Sequence, residues 1–228
     1  FVNLLNFVNR VQHLLRPNSV STSRRNIAEH YDLGNEFYSL WLDETMTYSA
    51  ARFEHSGQPL ADAQYSKYEA LCQKLQLKPG DHVLEIGCGT GTTALRLAPF
   101  TRRLLATDVS AGMIAIAREK LAAEPVPQLS FAVADADAPV AGPGEYDAVL
   151  AFNLLHLVSD LDHALELAMQ ALRPGGLLIS KTACIAEMNP LIRYVALPVM
   201  QAIGKAPHAL CFDADALRSA IARQGMDI

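Results

Sequence analysis

Apolar positions change their spacing along this chain in an order that reads as helices first, then strands and helices in alternation. Phe1, Leu4, Leu5, Val8, Val11 and Leu15 recur at helical intervals and predict an amphipathic helix over 1–16. Pro17-Asn18-Ser19 ends it, and 19–23 is a short polar linker. Residues 26–53 are the most aromatic part of the chain and hold its single tryptophan, Trp41; they predict one or two short helices and then an irregular loop over 47–53. A longer helix is predicted over 60–75, with Ala63, Lys67 or Tyr68, Leu71 and Leu75 on related faces, followed by a turn at Lys78-Pro79-Gly80-Asp81.

From residue 82 short apolar runs alternate with helical stretches. Strands are predicted at 82–87, 103–107, 129–134, 146–152 and 176–182, and helices near 92–98, 111–122 and 160–172. That order is the mark of an α/β fold, a mostly parallel sheet doubly wound by crossover helices. Pro174-Gly175-Gly176 reads as a tight turn ahead of the fifth strand. Residues 187–206 form an apolar, proline-marked insert, a last helix covers about 213–223, and Met226-Asp227-Ile228 reads as a strand beginning. The chain therefore divides into an N-terminal helix and linker (1–23), a helical cover (24–80) and an α/β domain with an insert (81–228).

Composition narrows the function classes. Half of the 228 residues are hydrophobic and 19% are charged, enough apolar material for a large core. The formal net charge of −5 argues against a nucleic-acid partner, which would call for a basic surplus. Cys72, Cys88, Cys184 and Cys211 are scattered, giving neither a metal-ligand pattern nor a disulfide framework; no metal is expected, and free thiols suit a cytoplasmic location. No apolar run reaches the length of a membrane span, and the first residues lack a signal-peptide pattern. Residues 1–25 carry four arginines and no acid, so the helix 1–16 can also lie on an anionic membrane surface; packing on the main domain or on a second subunit is the alternative.

The chemistry concentrates in Val83-Leu84-Glu85-Ile86-Gly87-Cys88-Gly89-Thr90-Gly91, a buried strand running into a glycine turn that opens a helix. A dinucleotide site needs Gly-x-Gly-x-x-Gly and aims a helix N-terminus at a pyrophosphate. Here the third glycine comes one residue early, and Glu85 stands two residues before Gly87. A carboxylate at the strand end suits a ligand that carries an ammonium or sulfonium rather than phosphates. Asp108 ends the second strand, where its carboxylate can accept from ribose hydroxyls; capping the next helix is the other use, and Ser110 can do that instead. Met113, one turn into that helix, can pack on an adenine face. Asp135 and Ala136 close the third strand, offering an acceptor for an adenine amino group and a backbone N–H for its ring; Asp137 is the alternative acceptor.

These segments, with Tyr146-Asp147-Ala148-Val149-Leu150 and Leu172-Arg173-Pro174-Gly175-Gly176, resemble the successive motifs of class I S-adenosylmethionine-dependent methyltransferases from about residue 68 onward. The resemblance implies a seven-stranded sheet with S-adenosyl-L-methionine across the ends of the first strands. It implies a cofactor site of Glu85, Gly87, Gly89, Asp108, Met113, Asp135 and Ala136, with Asn153 near the methionine half. Residues 24–80, including His30-Tyr31-Asp32-Leu33-Gly34-Asn35, Leu40-Trp41-Leu42-Asp43 and Met46-Thr47-Tyr48-Ser49-Ala50, are similar to the N-terminal part of cyclopropane-fatty-acid synthases and mycolic-acid methyltransferases. In that family the pair matching Tyr48-Ser49 reaches the methionine of the cofactor. The chain departs from it at Ala50, where the family has Cys, at Thr90, where it has Trp, and at Leu155-His156, where it has Glu-His; the missing Glu argues against cyclopropanation.

The expected activity is methyl transfer from S-adenosyl-L-methionine to a small lipophilic acceptor, with a cyclopropane-synthase-like enzyme and a non-catalytic cofactor-binding module as alternatives. Glycine spacing disfavours a nicotinamide oxidoreductase. His156, just beyond the fourth strand, is the best-placed base, and Tyr48 the second catalytic candidate. The insert 187–206 and the aromatic cover are expected to form a greasy acceptor pocket. By the resemblance both ends of the chain fall short of the family's usual extent, so an exposed sheet edge is expected, with either marginal stability or a homodimer that covers the edge.

Overall fold

The computed structural model describes residues 40–44, 47, 50–75, 77–140, 142–202 and 209–227. The predicted helix 1–16, the linker and most of the aromatic cover lie outside these residues. Helix α1 spans Leu60–Leu75 and is followed by strand β1, His82–Ile86. Then come α2 (Thr92–Leu97), β2 (Arg103–Asp108), α3 (Ala111–Ala123), β3 (Leu129–Val133), β4 (Tyr146–Phe152), α4 (Leu161–Ala171) and β5 (Leu172–Lys181). Single turns at Ile185–Glu187 and Ile192–Ala196 lead into α5 (Leu197–Ala202), and α6 covers Ala214–Arg223.

The five strands form one sheet in the order β3-β2-β1-β4-β5, every pair parallel. Both faces are covered, which explains why the strands read as apolar runs without alternation. Val83, Leu104, Ala106, Ala148 and Leu150 pack with Ala94, Leu97, Ile114 and Ala117 of α2 and α3 on one face. Leu84, Ile86, Tyr146 and Val149 pack with Ala168 and Ala171 of α4 on the other. Because β1 lies between β2 and β4, the crossovers leave it in opposite directions, and the crevice at its carboxyl end stays open.

Two predicted boundaries differ from the structure in an instructive way. The fifth strand begins at Leu172, and the segment read as a turn is a bulge inside it. Tyr146 pairs with Leu172 and Ala148 with Leu177, so two steps on β4 span five on β5. Pro174 has no N–H to donate, and Gly175 takes φ 78°, so both are at home where the ladder is interrupted. Asp147 anchors the bulge, pairing with Arg173 while its Oδ2 accepts the His82 N–H at 2.7 Å. At the C-terminal end Met226 and Asp227 are irregular rather than extended, and Met226 packs against the α4 face of the sheet.

Candidate functional site

The glycine turn after β1 is shaped by its backbone. Gly87, Gly89 and Gly91 take φ of 73°, 54° and 72°, a region that strains any residue with a Cβ. Packing adds a second demand at two of them. A Cβ on Gly87 would lie 2.9 Å from Leu154 Cδ1, and one on Gly91 would lie 2.6 Å from Phe131 Cζ and 2.7 Å from Ala117 Cβ. A Cβ on Gly89 would meet nothing within 4 Å. So Gly87 and Gly91 let the turn sit tight against protein, whereas Gly89 presents its backbone to open space.

That space is a cleft at the carboxyl ends of β1, β2, β3 and β4. Glu85, Gly87, Gly89, Asp108, Met113, Asp135, Ala136 and Asn153 all line it. Eight of the ten residues expected to hold the cofactor are thus brought together from sequence positions nearly 70 apart. The other two, Tyr48 and Ser49, lie outside the described residues. Asp137, the alternative to Asp135, lines the cleft as well. His156 is not among the lining residues: it is half-buried, its Nδ1 lies 2.9 Å from Thr182 Oγ1, and burial lowers its pKa. Leu155, which stands where the resembled family has Glu, is 3% exposed and packs in the core with Leu165 and Phe212.

Backbone donors fix the acidic groups before any ligand arrives. Asp108 Oδ2 accepts the Gly89 N–H at 2.9 Å and Oδ1 accepts the Ser110 N–H at 2.9 Å. Ser110, not Asp108, caps α3, its Oγ accepting the Met113 N–H at 3.1 Å. That division leaves Asp108 turned to the cleft, with lone pairs to spare for hydroxyl donors. Asp135 Oδ1 accepts the Asp137 N–H at 3.0 Å, and Asp137 Oδ2 accepts the Ser159 N–H at 3.1 Å, tying the loop after β3 to the one after β4. Asn153 sits at φ 53° with its N–H on Lys181 O at 2.6 Å, a left-handed residue of the type tolerated at turn positions and common at functional ones.

Glu85 differs from the other acids. It is 1% exposed, and its Oε2 is buried with no hydrogen-bond partner. Burial, with Asp108's like charge second, pushes its pKa up to about 8. Burial raises Asp108 too, but hydrogen bonds from the N–H groups of Ser110, Gly89 and Val109 pull it back. Cys88, in the same turn, is pushed well above its usual range, by burial first and by Glu85 and Asp108 next.

The structure adds lining residues to which the sequence assigned no part in the site. Thr47 Oγ1 and the Tyr68 hydroxyl are 3.0 Å apart at the wall of the cleft, and burial pushes Tyr68 up to about 12. In the sequence Tyr68 is only one of two candidates, with Lys67, for a place on the face of the helix 60–75. Thr90 and Thr92 also line the cleft, and Lys120, in the last turn of α3, donates to their hydroxyls at 3.1 and 2.7 Å. Burial lowers the pKa of Lys120 to about 8. Its place behind the turn, 28 to 30 residues away in sequence, left no local signal.

The acceptor pocket expected from the insert does not form among the described residues. None of residues 187–202 lines the cleft, and Met188, Leu191, Ile192, Tyr194, Val195, Val199 and Met200 are all exposed. From the cover, Leu42 packs on Met113 and Ile116 of α3. Among the described residues no helix is long and apolar enough to cross a membrane, and no cluster of three metal-ligating side chains occurs.

Comparison with known proteins adds to this geometry. The family described as mycolic acid cyclopropane synthetase matches residues 18–196. A probable fatty acid methyltransferase of Pseudomonas putida is 32% identical over 170 residues, 72% of this chain and 43% of that protein. The tuberculostearic acid methyltransferase UfaA1 of Mycobacterium tuberculosis is 34% identical over 195 residues, 74% of this chain and 44% of its own. The chain thus spans less than half the length of these curated relatives. The cyclopropane synthase MmaA2 from Mycobacterium tuberculosis superposes with a TM-score of 0.78 at 23% identity, covering 94% of this chain and 76% of that one. The mycolic acid cyclopropane synthase CmaA1, solved with SAH and CTAB, gives 0.73 at 21% identity over the same shares. Both likenesses show the fold, which is the doubly wound α/β sheet expected.

Proposed function

The chain belongs to the mycolic acid cyclopropane synthetase family, and from that premise we propose that it binds S-adenosyl-L-methionine in the β1–β4 cleft and transfers its methyl group to a lipophilic acceptor. The observation that carries the reading is Glu85, a buried carboxyl with an unpartnered oxygen lining a cleft whose other groups suit a nucleoside. A carboxyl in a ligand pocket with no cation beside it among the described residues offers a negative charge to a cationic ligand and nothing favourable to a phosphate. The donor set therefore fits the cofactor.

Glu85 would neutralise the cationic methionyl end, Asp108 would accept from the ribose hydroxyls, and Met113, Asp135 and Ala136 would hold the adenine. Gly89, with open space at its Cβ position, would let the backbone reach the ligand. When bound, S-adenosyl-L-methionine supplies an electrophilic methyl on a sulfonium, which departs as a neutral thioether. The chain's part is therefore mainly to orient the acceptor and exclude water. With His156 outside the cleft lining, no general base is assigned to it. The lipophilic acceptor is supported by the family and by relatives named as fatty acid and tuberculostearic acid methyltransferases. Leu155 in the core, in place of a carboxylate, supports methyl transfer over cyclopropane formation.

The test is incubation of the purified chain with methyl-labelled S-adenosyl-L-methionine and either total lipid extract or aqueous metabolites. Label should enter the organic phase and appear as branched methyl groups in saponified fatty acids. Cyclopropane carbon would favour ring formation instead. Cofactor binding without transfer to any acceptor class would leave a binding module, and absence of binding would refute the reading altogether.

A further inference from the structure

A carboxyl buried without a cation, a hydrogen-bond partner on one oxygen or contact with water has one inexpensive state, the protonated one. Among the described residues Glu85 is in that position, 1% exposed, its Oε2 without a hydrogen-bond partner and no cation beside it. On β1 its own turn brings Cys88, a neutral thiol; from β2 comes Asp108, whose charge has the same sign; from α1 comes Tyr68, whose phenol stays neutral and itself feels Glu85. Thr107 of β2 donates to the Glu85 backbone carbonyl, at 3.3 Å, and leaves the side chain alone. Asp108 keeps the charge of the pair because backbone N–H groups hold both of its oxygens. Of two neighbouring carboxyls, the one without donors gives up its charge.

Resting on the cofactor assignment above, we propose that Glu85 carries a proton in the ligand-free cleft at neutral pH and releases it to solvent when the cationic end of S-adenosyl-L-methionine enters. The O–H bond of the carboxyl breaks, the proton passes to buffer, and the carboxylate left behind faces the incoming positive charge. Binding is therefore proton-coupled. A ligand bearing the nucleoside alone leaves the proton in place, so Glu85 distinguishes the charged cofactor from its uncharged fragments.

Calorimetric titration of the whole chain at pH 6.5, in two buffers of different ionisation enthalpy, reads the protons released per ligand bound. At that pH the cofactor's own amino group stays protonated, so it does not contribute. The expected result is close to one proton for S-adenosyl-L-methionine and none for adenosine. The cofactor Kd should fall about tenfold per pH unit between pH 5.5 and 7. Glu85→Gln, a neutral isostere of the protonated form, should bind with no proton release and no such slope. Tight binding by the unaltered chain without proton release, or equal release by E85Q, would overturn the proposal while leaving the cofactor assignment standing.

A ligand-free arm tests the resting state on its own. With the folded pKa near 8 and the unfolded value near 4.5, the folded form binds more protons between them. The stabilisation is complete below pH 4.5, and unfolding stability must fall as pH rises toward 8. The unaltered chain should lose stability to urea relative to E85Q across that window. Parallel pH profiles of the two proteins would mean Glu85 is ionised at rest, and would sink the proposal even if no cofactor bound.

Discussion

Replacing Gly91 by alanine separates what the glycine turn owes to its own packing from what it owes to a ligand. At φ 72° a Cβ costs about 1–2 kcal/mol in backbone strain. The added methyl would sit 2.6 Å from Phe131 Cζ and 2.7 Å from Ala117 Cβ, both in the core beneath the turn. Overpacking of that kind costs about 1–3 kcal/mol. Neither neighbour can yield easily, since one is a β3 ring and the other a methyl fixed on α3. Gly91→Ala should therefore destabilise the chain by about 2–5 kcal/mol, or roughly 4–20 °C in Tm at this chain length. Gly89→Ala is the matched control. It carries strain at φ 54° but meets no atom, so it should cost only about 1–2 kcal/mol while weakening cofactor binding. Urea denaturation and thermal melts measure the first effect, and isothermal titration the second. A G91A variant as stable as the unaltered chain would refute the packing argument; a G89A variant that binds cofactor normally would refute the backbone-approach argument.

Three further outcomes can be checked by urea denaturation. Asp147→Ala strands the His82 N–H and leaves Arg173 without its partner, so it should cost about 1–3 kcal/mol, whereas Asp147→Asn keeps an acceptor for His82 and should cost less. Lys120→Met removes the ammonium from Thr90 and Thr92 and should cost about 1–2 kcal/mol, with partial recovery in Lys120→Arg. Leu191→Ser, at a side chain 66% exposed, should leave stability within about 0.5 kcal/mol of the unaltered chain.

The sheet was legible because parallel strands buried on both faces must be apolar throughout, and each of the five lay within a few residues of its predicted place. The site was legible for a related reason. Strand ends in an open α/β sheet converge, so Glu85, Asp108 and Asp135 could be brought to one cleft from position, while Asn153 came from the family resemblance. What could not be read depends on contacts that only the folded chain makes. Leu172 looked like a helix end because its pairing with Tyr146 lies across a bulge. Tyr68 looked like core because nothing local shows that its hydroxyl meets Thr47. The insert looked like a pocket wall because apolar sequence does not state which way it faces. Lys120 carries no local sign in the sequence of the two threonine hydroxyls it reaches across the turn.

Met113 is shared property, lining the cleft with one side and holding Leu42 of the cover with another. Leu42 follows Trp41, the chain's sole indole, which is 49% exposed. An occupant that shifts the thioether of Met113 is therefore expected to disturb Leu42, the chain neighbour of Trp41. Tryptophan emission, with one indole in the chain, is thus the label-free signal in which cofactor titration should be sought, and an unchanged spectrum at saturation would show that Leu42 does not carry the disturbance to Trp41.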